Sequence, residues 1–126
     1  MIAGILAALG FLVIAVFQLA LAAGAPLGRA AWGGRTAVLP MRLRRSSAVA
    51  SVIWVLAAAL ILGRAGVVSL PLAPDVLTVG AWILVVLSAL GALVNVASSS
   101  PWERYGWAPV AAVLAVLSAI VAASPA

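Results

Sequence analysis

The sequence predicts an all-α polytopic membrane protein in which four transmembrane helices form a bundle. Of its 126 residues, 67% are hydrophobic and only 7% are charged, whereas a soluble domain is about 45–50% apolar and about 25% charged. The chain therefore has too few polar residues to cover a globule. The apolar residues also form four long continuous runs, which favours helices over the alternating strands of a membrane barrel.

The four runs predict spans at about residues 2–23, 47–63, 76–97 and 102–123 of a single membrane domain. A hydrocarbon core roughly 30 Å thick needs about 20 helical residues, so the short second span must borrow Ser46 and Arg64 at its ends. No Lys or Arg precedes the first run. We therefore expect that run to be a retained span rather than a cleaved signal peptide.

Residues at the ends of the runs support these boundaries. Gly63 and Gly66 suit the C-terminus of the second helix, and Asp75 is placed to cap the N-terminus of the third. The fourth begins with Ser100, Pro101 and Glu103, the pattern of a capping box with proline at the first helical position. Pro109 follows within that helix and should kink it. Alternatively, Gly106 separates a short interfacial turn from the main span.

The arginines predict the orientation of the bundle. All seven basic residues are arginine, and only Arg64 falls on the side opposite the first and third loops. The other six are Arg29, Arg35, Arg42, Arg44, Arg45 and Arg104. Under the positive-inside rule, the basic loop at residues 25–46 faces the cytoplasm and both termini face out. The expected location is the cell (inner) membrane, which the chain would cross several times.

Composition also limits the chemistry. The chain has no His and no Cys, so we expect no metal site, no cofactor and no disulfide. The centre of every span lacks Asp, Glu and His, which disfavours proton-coupled antiport. Despite the net charge of +5, the basic loop is too short and too apolar for a nucleic-acid footprint.

The most polar stretch at membrane depth is NVASSSPWERYGW, from Asn95 to Trp107. Together with the basic loop it predicts a polar cluster on the cytoplasmic face. The predicted site residues are Arg42, Arg45, Asn95, Ser98, Glu103 and Arg104. Such a cluster would make this a non-enzymatic protein that binds a lipid headgroup, a small anionic ligand or a partner subunit. A simpler interpretation also stays open: Glu103 is only a helix cap, and the arginines set topology and attract anionic lipids.

Two alternative functions remain open. In the first, the protein is an oligomeric channel or transporter whose path between protomers is lined by Gln18, Ser88 and Asn95. Ser88 and Asn95 are seven residues apart and so share one helical face. In the second, Glu103 serves an interfacial lipid-modifying enzyme, although no specific motif supports it. The partners expected are anionic membrane lipids and either further copies of the chain or a larger complex.

Three segments carry a resemblance to a known group of proteins. They are AGAPLGRAAWGG (residues 23–34), LPMRLRRSSAVA (39–50) and NVASSSPWERYGWAPVA (95–111). These segments look like those of small four-helix membrane proteins of GC-rich bacteria, which have no established activity. The most specific element is the pattern formed by Asn95, Ser98, Ser100, Glu103 and Arg104. The resemblance implies a four-span fold and implies no function.

Overall fold

The protein is a bundle of four helices. The structure is a computed structural model that describes residues 1–125. The helices are α1 (Ile2–Ala22), α2 (Met41–Arg64), α3 (Pro74–Val96) and α4 (Ala108–Ala123), and a π-helical turn (Glu103–Trp107) leads directly into α4. With that turn, the fourth span runs Glu103–Ala123, and all four spans are long and apolar enough to cross a membrane. The predicted fold class is confirmed, and residues 1–125 contain no strand.

The helices pair as two hairpins. α1 packs mainly against α2 and α3 mainly against α4, and the hairpins meet through α1–α4 and α2–α3 contacts. The loop between α1 and α2 and the segment between α3 and α4 lie together at one end of the bundle, which we call the arginine-rich end. The opposite end holds the α2–α3 connection and the C-terminus of α4, where the Arg64 side chain donates to the carbonyl of Ala122 (3.1 Å).

The core fills the half of the bundle nearest the opposite end. Its buried members include Ala7, Phe11, Ala58, Ile61 and Val121. Small residues let the backbones approach closely, which is how helices associate where lipid supplies no hydrophobic driving force. Many large apolar side chains on the outside of the bundle are exposed, as expected for surfaces that meet lipid.

α2 begins six residues earlier than the predicted span. Pro40 has extended backbone (φ −64°, ψ 158°) and the helix starts at Met41. Arginine is a good helix former, so the basic residues after Pro40 continue the helix beyond the apolar run. Hydropathy marks the part of a helix that sits in hydrocarbon, and it does not mark where the helix ends.

The predicted C-terminus of α2 is confirmed in detail. Gly66 has φ +75°, and its N–H donates to the carbonyl of Gly63 (3.1 Å). The N–H of Val67 reaches back to the carbonyl of Leu62 (2.9 Å). These two bonds form a Schellman motif, which satisfies carbonyls that the helix leaves free.

The predicted cap at Asp75 is wrong. The N-cap of α3 is Ala73, Pro74 takes the first helical position, and no side chain caps this end. Proline favours that position because it has no N–H to satisfy, and this places Asp75 one residue inside the helix. Its charge still lies in the first turn, where the helix dipole favours an anion.

Only half of the predicted capping box forms before α4. The N–H of Glu103 points to Oγ of Ser100 (3.4 Å), but the N–H of Ser100 binds Oγ of Ser98 (3.1 Å) instead of the Glu103 carboxylate. The disturbance predicted at Pro109 takes the form of the π-helical turn directly upstream. Pro109 cannot donate to the carbonyl four residues before it, so the helical ladder is interrupted there.

Candidate ligand-binding cavity

A cavity of about 760 Å³ lies between the two hairpins at the arginine-rich end. All four helices and the α1–α2 loop contribute to its wall. Its volume falls in the range of pockets that hold small molecules, roughly 300–1,000 Å³. The cavity is therefore large enough for a ligand and not only for ordered water.

The inner wall of the cavity is apolar and aromatic. Ile14, Trp54, Leu87 and Leu114 line it, and Trp54 stacks on the fully buried ring of Phe11, with 5.5 Å between ring centroids. Phe11 belongs to the core that fills the other half of the bundle. The packed core therefore lies beyond the inner wall of the cavity.

The wall near the arginine-rich end is polar. Arg35 and Thr36 come from the α1–α2 loop, Arg42 from the first turn of α2, and Asn95 from the last turns of α3. Arg35, Thr36 and Arg42 are exposed, so this part of the cavity is its mouth. The cavity therefore changes from cationic and polar at the mouth to apolar inside.

The α1–α2 loop is braced by its own hydrogen bonds. Nη1 of Arg29 donates to the carbonyls of Gly34 (3.1 Å) and Arg35 (2.9 Å), and the N–H of Gly28 donates to the carbonyl of Ala37 (2.8 Å). Beneath it, Leu21, Ala31 and Leu39 form a small buried cluster. These contacts fix the backbone of Arg35 at the mouth.

Glu103 connects the loop to the fourth span. Its Oε1 accepts hydrogen bonds from the backbone N–H of Gly33 (2.9 Å) and from the hydroxyl of Ser98 (2.7 Å). The hydroxyl of Ser100 donates in turn to the carbonyl of Arg29. Glu103 is thus more than a helix cap, because it ties two segments 70 residues apart at the wall of the cavity.

Trp32 sits on the cavity wall in a strained backbone conformation. Its φ of +50° is the only positive φ of a non-glycine residue in residues 1–125. The indole N–H donates to Oγ of Ser47 (3.0 Å), which is fully buried. Strain of this kind, of order 1–3 kcal/mol, persists only where the surroundings enforce it, and it is common at functional sites.

Four of the seven arginines form hydrogen bonds with the backbone. The side chains of Arg29, Arg44, Arg64 and Arg104 donate to main-chain carbonyls. Arg44 binds the carbonyl of Ala22 at the end of α1, and Arg104 binds that of Val96 at the end of α3. Of the other three, Arg35 and Arg42 line the cavity.

The structure brings together four of the six residues predicted for the polar cluster. Arg42, Asn95, Ser98 and Glu103 line the cavity. Arg45 and Arg104 are exposed and lie outside its lining. Sequence spacing could not separate Arg42 from Arg45, because only the position of the neighbouring hairpin decides which of them faces the cavity.

The residues predicted for a path between protomers line this same cavity. Gln18, Ser88 and Asn95 all face it within one chain. Asn95 donates from Nδ2 to the carbonyl of Gly91 (2.8 Å), whereas Oε1 of Gln18 and Oγ of Ser88 are buried without a hydrogen-bond partner. The predicted path residues and four of the six predicted cluster residues therefore line one cavity.

Sequence reasoning missed the aromatic walls and one of the two arginines at the mouth. Trp54 and Trp107 line the cavity, and the Trp107 ring lies 4.8 Å from that of Phe17. Arg35 counts in the sequence only as one positive charge among seven. The available signal was the pair Gly33–Gly34 beside Trp32, a composition typical of a tight turn.

The groups that line the cavity suit binding by charge, hydrogen bonds and apolar contact. Within residues 1–125, no cluster of three His, Cys, Asp or Glu side chains is arranged to hold a metal ion. The carboxylate of Glu103 is already engaged by two donors.

Comparison with known proteins assigns no family to the chain, since no family model, curated protein or solved structure matches it.

Proposed function

We propose that this multi-pass membrane protein binds, without chemical turnover, an amphiphile with an anionic headgroup in the cavity between its two hairpins. The membrane would be the bacterial inner membrane, and the ligand an anionic lipid or a related molecule. The observation that carries the proposal is the polarity of the cavity, which has arginines at the mouth and an aromatic, apolar inner wall.

The distribution of arginines supports an anionic headgroup. Arg35 and Arg42 lie at the mouth, and neither is among the four arginines that bind backbone carbonyls. The nearest carboxylate on the wall, Glu103, accepts its hydrogen bonds from Gly33 and Ser98. Basic pockets between helices on the cytoplasmic side are typical binding sites for anionic headgroups.

The inner wall supports an apolar chain. Ile14, Leu87 and Leu114 surround the space behind the mouth, with Trp54 at its inner end. An alkyl chain that moves there from the bilayer gains packing contacts with these side chains and no hydrophobic transfer free energy, because lipid tails are as apolar as the wall. The position of the mouth, at the level where charged residues begin, suits a headgroup that stays at the membrane interface.

The alternative of a path between protomers has less support. Gln18, Ser88 and Asn95 line the cavity of one chain, and a packed core occupies the half of the bundle beyond it. A conducting path along these residues would require that core to open.

The proposal is tested by lipid retention in native mass spectrometry. The purified protein is equilibrated with phosphatidylglycerol and phosphatidylcholine of matched chains, as the unaltered chain and as Arg42→Gln and Arg45→Gln. Each variant removes one charge from the first two turns of α2, but only Arg42 lines the cavity. We expect the unaltered chain to retain phosphatidylglycerol selectively.

We expect Arg42→Gln to weaken that retention about tenfold, the effect of losing a hydrogen bond to a charged group worth about 1.5 kcal/mol, and Arg45→Gln to weaken it less. Equal losses in the two variants would mean that the whole basic surface attracts lipid and that the cavity is not the site. No preference for phosphatidylglycerol in the unaltered chain would refute the proposal.

A further inference from the structure

We infer that the deep part of the cavity recognises a second polar group of the ligand through Ser88. The ligand is then an amphiphile with a polar group, such as a hydroxyl, part-way along its apolar chain, and not a plain alkyl chain. This inference rests on the proposed function. It adds the class of ligand, an amphiphile with a polar group in its chain, that the inner end of the cavity would select.

Ser88 holds an unused hydroxyl at the cavity wall. The residue is only 3% exposed, and its Oγ has no hydrogen-bond partner. A helical serine or threonine usually satisfies its hydroxyl by donating to the carbonyl four residues earlier. Ser46, Thr78 and Ser124 of this chain all do so. Ser88 does not donate to the carbonyl four residues before it, which leaves its hydroxyl free for a group in the cavity.

Gln18 adds a second unsatisfied atom on the same cavity, but nearer the mouth, because it lies four residues before the end of α1 and next to Phe17, whose ring contacts that of Trp107. Its Oε1 is buried and accepts no hydrogen bond. Buried polar groups are nearly always paired, and leaving one unpaired costs about 1–3 kcal/mol. A carbonyl oxygen can be satisfied only by a donor, whereas a serine hydroxyl can donate or accept. The partner of Gln18 must therefore carry an O–H or N–H group, whereas the deeper Ser88 accepts any polar partner, and an unsubstituted alkyl chain offers neither.

The geometry of α3 sets the spacing between the two polar regions of the ligand. Ser88, Gly91 and Asn95 all line the cavity, and three or four residues separate successive members, so they share one face of the helix. Ser88 and Asn95 are about 10 Å apart along the axis. At Gly91 an added Cβ would meet nothing closer than the Cβ of Ala111 at 3.9 Å, so the groove between the two polar side chains is open. The ligand then carries its second polar group about 10 Å deeper than the polar mouth.

The experiment compares two fatty acids that differ by one mid-chain hydroxyl, ricinoleate and oleate. Each is titrated against the full chain in lipid nanodiscs, and binding is followed by tryptophan fluorescence, since Trp32, Trp54 and Trp107 line the cavity. The variants are Ser88→Ala and a matched control, Ser118→Ala. Ser118 is equally buried and its Oγ is also unpaired, but it does not line the cavity.

We expect the unaltered chain and Ser118→Ala to bind ricinoleate about fivefold more tightly than oleate, the effect of one net hydrogen bond. In Ser88→Ala the ratio should fall towards one, with oleate affinity retained. Comparing ratios between variants cancels any difference in how the two fatty acids partition into the nanodisc.

Equal affinities for the two fatty acids in the unaltered chain would refute this inference and leave the proposed function standing, as would an unchanged ratio in Ser88→Ala. Either result would mean that water satisfies the hydroxyl of Ser88. If the unaltered chain binds neither fatty acid, the inference fails, and the retention of phosphatidylglycerol then decides whether the proposed function stands.

Discussion

At the scale of single residues, Glu103 joins the two halves of the site. Its carboxylate accepts from the backbone of Gly33 in the α1–α2 loop and from Ser98 just before the fourth span. A hydrogen bond to a charged group is worth about 1.5–3 kcal/mol, so this one side chain holds much of the contact between the loop and the second hairpin.

We expect Glu103→Ala to lower the free energy of unfolding by about 1–2 kcal/mol, because the Gly33 N–H loses its acceptor while partly buried. Amide hydrogen exchange of residues 28–37 should become faster at the same time. Asp75→Ala is the control, since it removes the other acidic side chain, which caps nothing. If both variants exchange alike in this loop, Glu103 does not hold it in place.

At the scale of elements, the α1–α2 loop depends on backbone conformations that only glycine adopts easily. Gly33 and Gly34 both have positive φ, at +83° and +71°. A Cβ at Gly34 would lie 2.7 Å from the carbonyl oxygen of Arg29 and 2.8 Å from Cβ of Ser100, whereas one at Gly33 would meet nothing within 4 Å. Gly34 therefore needs both a left-handed backbone conformation and the absence of a side chain, whereas Gly33 needs only the left-handed conformation.

A series of three alanine substitutions separates these two effects. We expect Gly106→Ala, where φ is not positive and nothing lies within 4 Å, to leave the thermal midpoint in detergent unchanged or raised. Gly33→Ala should lower the free energy of unfolding by about 1–2 kcal/mol, because alanine is strained in the left-handed backbone conformation. Gly34→Ala should cost more, because the clash adds to the strain. Equal stability of Gly33→Ala and Gly34→Ala would contradict the close packing of the loop against Ser100.

At the scale of the whole molecule, the two ends of the bundle differ in charge. The arginine-rich end carries six arginines, and the opposite end carries only Arg64. Under the positive-inside rule, we expect the mouth of the cavity to face the cytoplasm. The ligand headgroup would sit in the leaflet whose surface is richest in anionic lipid.

Cysteine accessibility tests this orientation, because the chain has no native cysteine. We expect Ser69→Cys, in the exposed α2–α3 connection, to react with a membrane-impermeant maleimide in spheroplasts. Thr36→Cys, exposed in the α1–α2 loop, should react only after the membrane is permeabilised. The reverse pattern would place the mouth of the cavity outside the cell, and labelling of both sites in intact spheroplasts would indicate dual topology.

The sequence by itself determined the fold class, the four spans and the end of α2 at Gly66. These features are local: hydropathy over about 20 residues sets a span, and a glycine in the left-handed region ends a helix wherever it stands. Local signals failed where two of them competed. Pro74 displaced Asp75 from the cap of α3, and Pro40 started α2 ahead of its apolar run.

Only the tertiary structure decided which polar residues share a site. Arg42 and Arg45 are equivalent in sequence, yet only Arg42 lines the cavity. The acceptor in Glu103 finds its donor 70 residues away, at Gly33. Gln18 and Ser88 each have a buried side-chain oxygen without a hydrogen-bond partner. This can be recognised only when the positions of all neighbouring helices are known. Helices form from contacts three or four residues apart, whereas a site between hairpins is assembled by packing between distant segments, and the pattern along the chain does not encode that packing in any short window.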